Sequence, residues 1–200
     1  MYQVIISFLL VFLSELGDKT QLLVLSFSTK VKTITIILGV ALGSLSSHGI
    51  AITFGSFLGN TSSLFLHQFL EFITYSSFIF IGLISLIPKS KKEHTQSNKV
   101  LKKLSSFKLN YIFIIALSIA IGEIGDKTFL ASIGLGIQYP SEKLFLILGA
   151  ILGMIASDSI AIFIGKFLSQ KIPTKYIEIL SSILFLLVGF IGLFHFLFHL

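Results

Sequence analysis

The sequence predicts an all-α membrane protein, six transmembrane helices arranged as two inverted three-helix repeats. Three observations carry this. The 200-residue chain is 54% hydrophobic and only 12% charged, with a mean hydropathy of +0.96, whereas a soluble domain carries about 25% charged residues. The apolar residues fall in six runs, each close to the roughly 20 residues that span a bilayer as a helix. The first half of the chain recurs in the second. A chain so poor in polar residues cannot cover a core with a hydrated shell, which excludes a cytosolic enzyme, a nucleic-acid binder and a secreted scaffold. Cys is absent, so disulfides, thiolate metal sites and Cys nucleophiles are excluded as well.

The spans are placed at Val4–Phe27, Ile34–Leu58, Leu64–Ile87, Tyr111–Ile133, Leu144–Leu168 and Tyr176–Phe198. No Lys or Arg precedes Lys19 and no small-residue cleavage site follows the first run, so that run is expected to stay as a span. The connectors are short except for the polar stretch after Pro88. It divides the chain into a first repeat over 1–88, a Lys-rich loop over 89–110 and a second repeat over 111–200.

Charge orients the bundle. All 15 basic residues are Lys, and the net charge of +6 resides in the loop, which holds seven Lys and one Glu. Twelve Lys lie in the connectors after spans 1, 3 and 5, and one, Lys143, lies on the other side. The positive-inside rule then places both termini outside and the 89–110 loop in the cytoplasm, in a bacterial inner (plasma) membrane. The basic loop is expected to set topology and to touch anionic lipid.

The internal repeat is read from residues. Glu15-Leu16-Gly17-Asp18-Lys19-Thr20 returns as Glu123-Ile124-Gly125-Asp126-Lys127-Thr128. The following spans align Gly39–Leu58 with Gly149–Leu168, with ten identities in twenty columns, and Ile81-Gly82-Leu83 matches Ile191-Gly192-Leu193. Each unit has three spans, so the second copy enters the membrane from the opposite side. Transporters built this way bind substrate near the midplane where the repeats meet.

Both hexapeptides fall near mid-bilayer, where ionised side chains cost several kcal/mol and mark function. Glu15 and Asp18 are i and i+3, on one face if the helix is continuous. The Gly between them lets a neighbour approach or the helix unwind. With Thr20, and with Glu123, Asp126 and Thr128 facing them, they form an oxygen-only ligand set suited to hard divalent cations. Lys19 and Lys127 leave each cluster at a charge of −1, so the pair balances one divalent ion, and protons are the substitute when none is bound. The alternative is structural: Glu15–Lys19 and Glu123–Lys127 are i, i+4 pairs able to act as packing salt bridges.

The duplicated signature E-x-G-D-[KR]-[ST], once in the first span of each half with a charged loop between, resembles the Gdt-one family of manganese and calcium transporters. The resemblance covers nearly the whole chain and implies Mn²⁺ or Ca²⁺ moved out of the cytosol in exchange for H⁺. It places the family's acidic ligands at Glu15, Asp18, Glu123 and Asp126 and its hydroxyls at Thr20 and Thr128. The implied partners are the divalent cation, protons and the lipid bilayer, with no nucleic acid. The metal is cargo, and no cofactor is expected.

Accessory candidates are weaker. Asp158 is mid-span, after Ser157, and its repeat partners are Ser47 and His48. It is read as an extra ligand or proton relay, or as a partner of Lys19 or Lys127. His48 is a proton carrier or a satisfied buried histidine. Gln21 adjoins the first hexapeptide, but Phe129 replaces it in the second, which argues against a role. His67 and Glu71 read as a local i, i+4 pair or an outer vestibule. Glu178, His195 and His199 lie near span ends and read as solvated. The Gly39/Gly43, Gly55/Gly59 and Gly149/Gly153 pairs suit close helix contact.

Two other functions compete. An exporter of amino acids or other small organic cations shares the six-span plan, but wants an aromatic or amide-lined pocket. An intramembrane aspartyl protease would use a G-x-G-D signature, but Glu15 and Glu123 stand where it needs Gly. The adjacent Lys would also hold each Asp ionised, where a dyad must share a proton.

Overall fold

In the computed structural model the described residues are 2–16, 18–28, 31–61, 63–86, 110–168 and 174–198, and among them the regular structure is entirely helical. The predicted Lys-rich loop lies outside the described residues except for Asn110. Among the described residues eight α-helices follow one another: α1 (Tyr2–Glu15), α2 (Lys19–Ser28), α3 (Thr33–Gly59), α4 (Leu64–Ser85), α5 (Tyr111–Glu123), α6 (Lys127–Gln138), α7 (Lys143–Leu168) and α8 (Thr174–Phe198). A 3₁₀ turn, Pro140–Glu142, leads into α7. The starts of α4 and α5 are capped by side chains. Ser63 accepts from the Leu66 N–H at 3.4 Å and Asn110 from the Ile112 N–H at 3.3 Å, each supplying an acceptor to an otherwise orphaned donor.

The sequence places spans 1 and 4 each as one apolar run whose Gly either admits a neighbour or unwinds the helix, and in the structure both runs are broken. α1 stops at Glu15 and α2 starts at Lys19; α5 stops at Glu123 and α6 starts at Lys127. Span 4 also runs on past Ile133, to Gln138. Consequently the i, i+3 and i, i+4 spacings inside the hexapeptides do not describe neighbours on one helix face.

Burial is arranged for lipid. Phe57 and Phe65 are 78% and 79% exposed, while Glu15, His48, Glu123, Thr128 and Asp158 are all buried. Large apolar side chains outside and charged ones inside is the pattern a bilayer imposes on a polar-lined bundle. Thr33–Gly59 and Pro140–Phe163 are long and apolar enough to cross a membrane, and Tyr2–Glu15, Gln68–Ile84, Tyr111–Glu123 and Ser182–Phe198 are shorter apolar segments.

Glycines set the contacts between helices. A Cβ on Gly39 would lie 2.7 Å from Ile115 Cβ, and one on Gly43 2.8 Å from Ile119 Cβ, so α3 and α5 approach closely only because these positions are Gly. Gly55 and Gly59 continue the seam along α6, against Ile133 and Ile137. Gly149 meets Val4 and Ser7, and Gly153 meets Phe8 and Val11, so α7 runs alongside α1 in the same direction. Val4 and Ser7 stand eleven and eight residues before Glu15, as Ile112 and Ile115 stand before Glu123, so the two seams use equivalent positions. α4 packs on α8 in the opposite sense, Gly82 on Leu186 and Gly192 on Tyr75.

Candidate cation site

The break in the fourth span has a defined geometry. Ile124 has φ −58° and ψ 120°, and Gly125 has φ +81°. The Asp126 N–H donates to the Glu123 carbonyl at 3.0 Å. These are the dihedrals and the closing bond of a type II turn, whose third residue needs positive φ and is therefore Gly. A Cβ at 125 would meet no other atom within 4 Å, so the requirement is one of backbone conformation and not of space. Any L-residue there costs roughly 1–2 kcal/mol. The first copy closes the same way, with the Asp18 N–H donating to the Glu15 carbonyl at 3.2 Å; Gly17 itself lies outside the described residues. The sequence leaves open whether the motif's Gly admits a neighbour or unwinds the helix. At Gly125 the backbone turns.

Each turn ends one helix on Glu and begins the next beside Asp. The carbonyl ends of α1 and α5 carry partial negative charge, a favourable setting for a cation. Asp126 occupies the N-cap position of α6, yet its side chain makes no cap hydrogen bond. Asp is among the preferred N-caps because it satisfies a free N–H. Here its carboxylate is used differently, grouped with those of Glu15 and Glu123, with one oxygen of each within 4.8 Å of the others.

Thr128 joins the two halves. Its Oγ1 lies 2.8 Å from Glu15 Oε1 and 3.1 Å from Glu123 Oε2. A hydroxyl has one proton, so it donates to one of these carboxylates at a time. The Thr20 hydroxyl donates to the other oxygen of Glu15, Oε2, at 3.1 Å. The result is a buried group of carboxylates and hydroxyls contributed by α1, α2, α5, α6 and the turn between the last two. At an effective dielectric near 20, two carboxylates at this separation repel by roughly 3–4 kcal/mol. Asp18 and Lys127 both lie within electrostatic range of Glu15. The Lys19 side chain lies outside the described residues.

The accessory candidates divide. Ser47 donates back to the Gly43 carbonyl of its own helix at 3.1 Å. His48 Nδ1 lies 2.9 Å from Ser132 Oγ, one helical turn beyond Thr128 on α6. Ser157 takes up Gln21, whose Nε2 donates to Ser157 Oγ at 2.8 Å and to the Ser157 carbonyl at 3.0 Å. Gln21 has low weight in the sequence because Phe129 replaces it in the second repeat; the structure gives it a packing contact. Gln21 ties α2 to α7 beside the cluster. Its only signal in the sequence is that an amide interrupts an apolar run. Asp158 lies within electrostatic range of Glu15 and Asp18. Glu71 accepts from Gln138 Nε2 at 3.1 Å. The side chains of His67 and Glu178 and all of His199 lie outside the described residues, and His195 is exposed.

A largely buried carboxylate cluster between two broken helices, inside a bundle with an apolar exterior, is an arrangement suited to carrying cations through a membrane. A profile of the divalent cation/proton antiporter GDT1 family matches residues 3–93 and 111–197, and the chain belongs to that family. It is therefore a transporter whose substrates are a divalent cation and protons, and not a protease. A Vibrio cholerae serotype O1 protein described as a putative manganese exporter is 31% identical over 185 residues, covering 92% of this chain and 86% of that protein. No solved structure matches the chain.

Proposed function

We propose that this protein is a secondary transporter that exports Mn²⁺ and/or Ca²⁺ from the cytosol in exchange for H⁺. Glu15, Asp18, Thr20, Glu123, Asp126 and Thr128 hold the ion. The observation that carries the reading is the convergence of Glu15, Glu123 and Asp126 around the Thr128 hydroxyl. Hard divalent cations take all-oxygen shells of this type, and the likeness to a relative described as a putative manganese exporter favours Mn²⁺. The cluster is small and made of oxygens, which disfavours an amino acid or organic cation as cargo.

The architecture in this reading is six spans in two inverted repeats, 1–88 and 111–200, joined by the 89–110 loop, in a bacterial inner membrane. The equivalent glycine seams, α3 along α5–α6 and α7 along α1, support it, as does the recurrence of the Glu-to-Asp turn bond in both halves. Both termini face outside and the Lys-rich loop faces the cytoplasm. Since the chain has no Cys, a Cys introduced at Ser97 reports orientation directly. It should resist an impermeant thiol reagent added to intact cells and react after lysis. Labelling in intact cells would refute the proposed orientation.

Substrate class is tested by flux. Purified protein in liposomes should carry Mn²⁺ or Ca²⁺ into vesicles holding a metal-sensing dye, the two ions competing with each other. An excess of amino acids or organic cations should not compete. Transport of an organic cation, with no metal movement, would refute the reading.

A further inference from the structure

Asp158 is a buried acid that the central cluster does not use. It is 1% exposed, and among the described residues neither of its carboxylate oxygens has a hydrogen-bond partner. Its neighbour Ser157 is fixed by two hydrogen bonds from Gln21. Those bonds hold α7 against α2 just past Thr20 and station Asp158 beside the first hexapeptide, in range of Glu15 and Asp18. A carboxyl buried without hydrogen bonds must be neutralised, by a proton or by a bound cation, and acids at bilayer depth mark ion or proton pathways.

The second repeat does not copy this arrangement. The residue equivalent to Asp158 is His48, and it contacts Ser132 on α6. The acid therefore flanks the cluster on the α2 side, and the imidazole flanks it on the α6 side. α2 leads toward Lys30 and Lys32, in the set of Lys-rich connectors, whereas α6 leads to Gln138 and the sparsely charged end.

We propose that Asp158 is a direct ligand of the transported divalent cation on the α2 side of the cluster, the first carboxylate the ion meets on arriving from the end bearing the Lys-rich connectors. His48 withholds an equivalent ligand from the opposite end. This rests on the transport reading above and adds to it an asymmetry of affinity between the two faces. Two otherwise similar half-sites differ by one carboxylate, so the cation binds more tightly from one side than from the other.

The test measures the Mn²⁺ concentration dependence of flux from each side, in proteoliposomes sorted by orientation. Asp158→Asn should raise KM on the connector side by about tenfold or more, the scale on which a metal site responds to loss of a supporting group. KM on the opposite side should be unchanged. Unchanged KM on both sides, or an equal rise on both, overturns the proposal. So does restoration of normal KM in Asp158→Asn by a second change, Lys19→Gln, which would make Asp158 the structural partner of that lysine. If Asp158→Asn does not insert, Asp158→Glu keeps the charge and moves it by one methylene. It should still alter KM on the connector side alone, and an unaltered value overturns the proposal. Wild-type protein that moves no divalent cation would refute the transport reading itself. Wild-type flux with an unaffected variant refutes only the role of Asp158.

Discussion

Glu15→Gln and Glu123→Gln are expected to abolish divalent-cation transport while leaving the protein inserted in the membrane. The two glutamates end α1 and α5, and one hydroxyl, that of Thr128, touches both. An amide preserves shape and can still accept from that hydroxyl, so packing should survive. What it loses is the negative charge that a hard cation needs on dehydration. Losing a charged ligand should weaken ion binding by at least the roughly 10–100-fold that losing a supporting group costs a metal site. Asp126→Asn should behave alike, since its carboxylate belongs to the same cluster, and Asp18→Asn is its counterpart in the first repeat. Initial rates of Mn²⁺ and Ca²⁺ flux, normalised to inserted protein, check this. Equivalent positions should suffer losses of similar order. Normal flux in any one variant removes that residue from the site, and normal flux in all four removes the site.

The hexapeptides were legible in the sequence because charge at bilayer depth is expensive and duplication repeats the signal. Their local structure was not. The i, i+3 relation of Glu15 and Asp18 suggests a shared helix face, but the backbone leaves the helix between them. The pattern E-x-G-D that reads as helical spacing is also the pattern of a type II turn with Gly at its third position. Spacing alone does not choose between the two, since the run on either side is apolar and helix-forming. Symmetry, useful for locating the ligands, obscured what is particular to one half. Gln21 looks unimportant when compared with Phe129, but it holds Ser157, whereas the equivalent Ser47 bonds within its own helix. Asp158 stood out by its depth, but its lack of a hydrogen-bond partner is a property of the packing around it. The glycine pairs foretold close contact, not which helix each would meet.

An inward-directed proton gradient imposed across proteoliposomes is expected to drive Mn²⁺ or Ca²⁺ outward against its own gradient. The argument starts from repulsion. Glu15, Glu123 and Asp126 bring their oxygens within 4.8 Å of one another, and Lys127 is the described cation in range of Glu15. With the divalent ion gone, net negative charge remains in a water-poor interior, and moving it across the membrane is costly. Protons are the available substitute, because carboxylates crowded together take them up more readily than isolated ones. The carrier then reorients in two forms, metal-loaded or protonated, and exchange follows from that restriction. Thr20 and Thr128 serve both forms, since a hydroxyl accepts from a protonated carboxyl as well as donating to an ionised one. The measurement uses a metal dye and a pH dye in the same vesicles, with membrane voltage clamped. Metal movement should be accompanied by proton movement of opposite sense, and an ionophore that collapses the pH gradient should stop uphill transport. A channel would pass metal down its gradient without moving protons. Metal flux indifferent to the pH gradient would leave the carboxylate site in place and refute exchange as its mechanism.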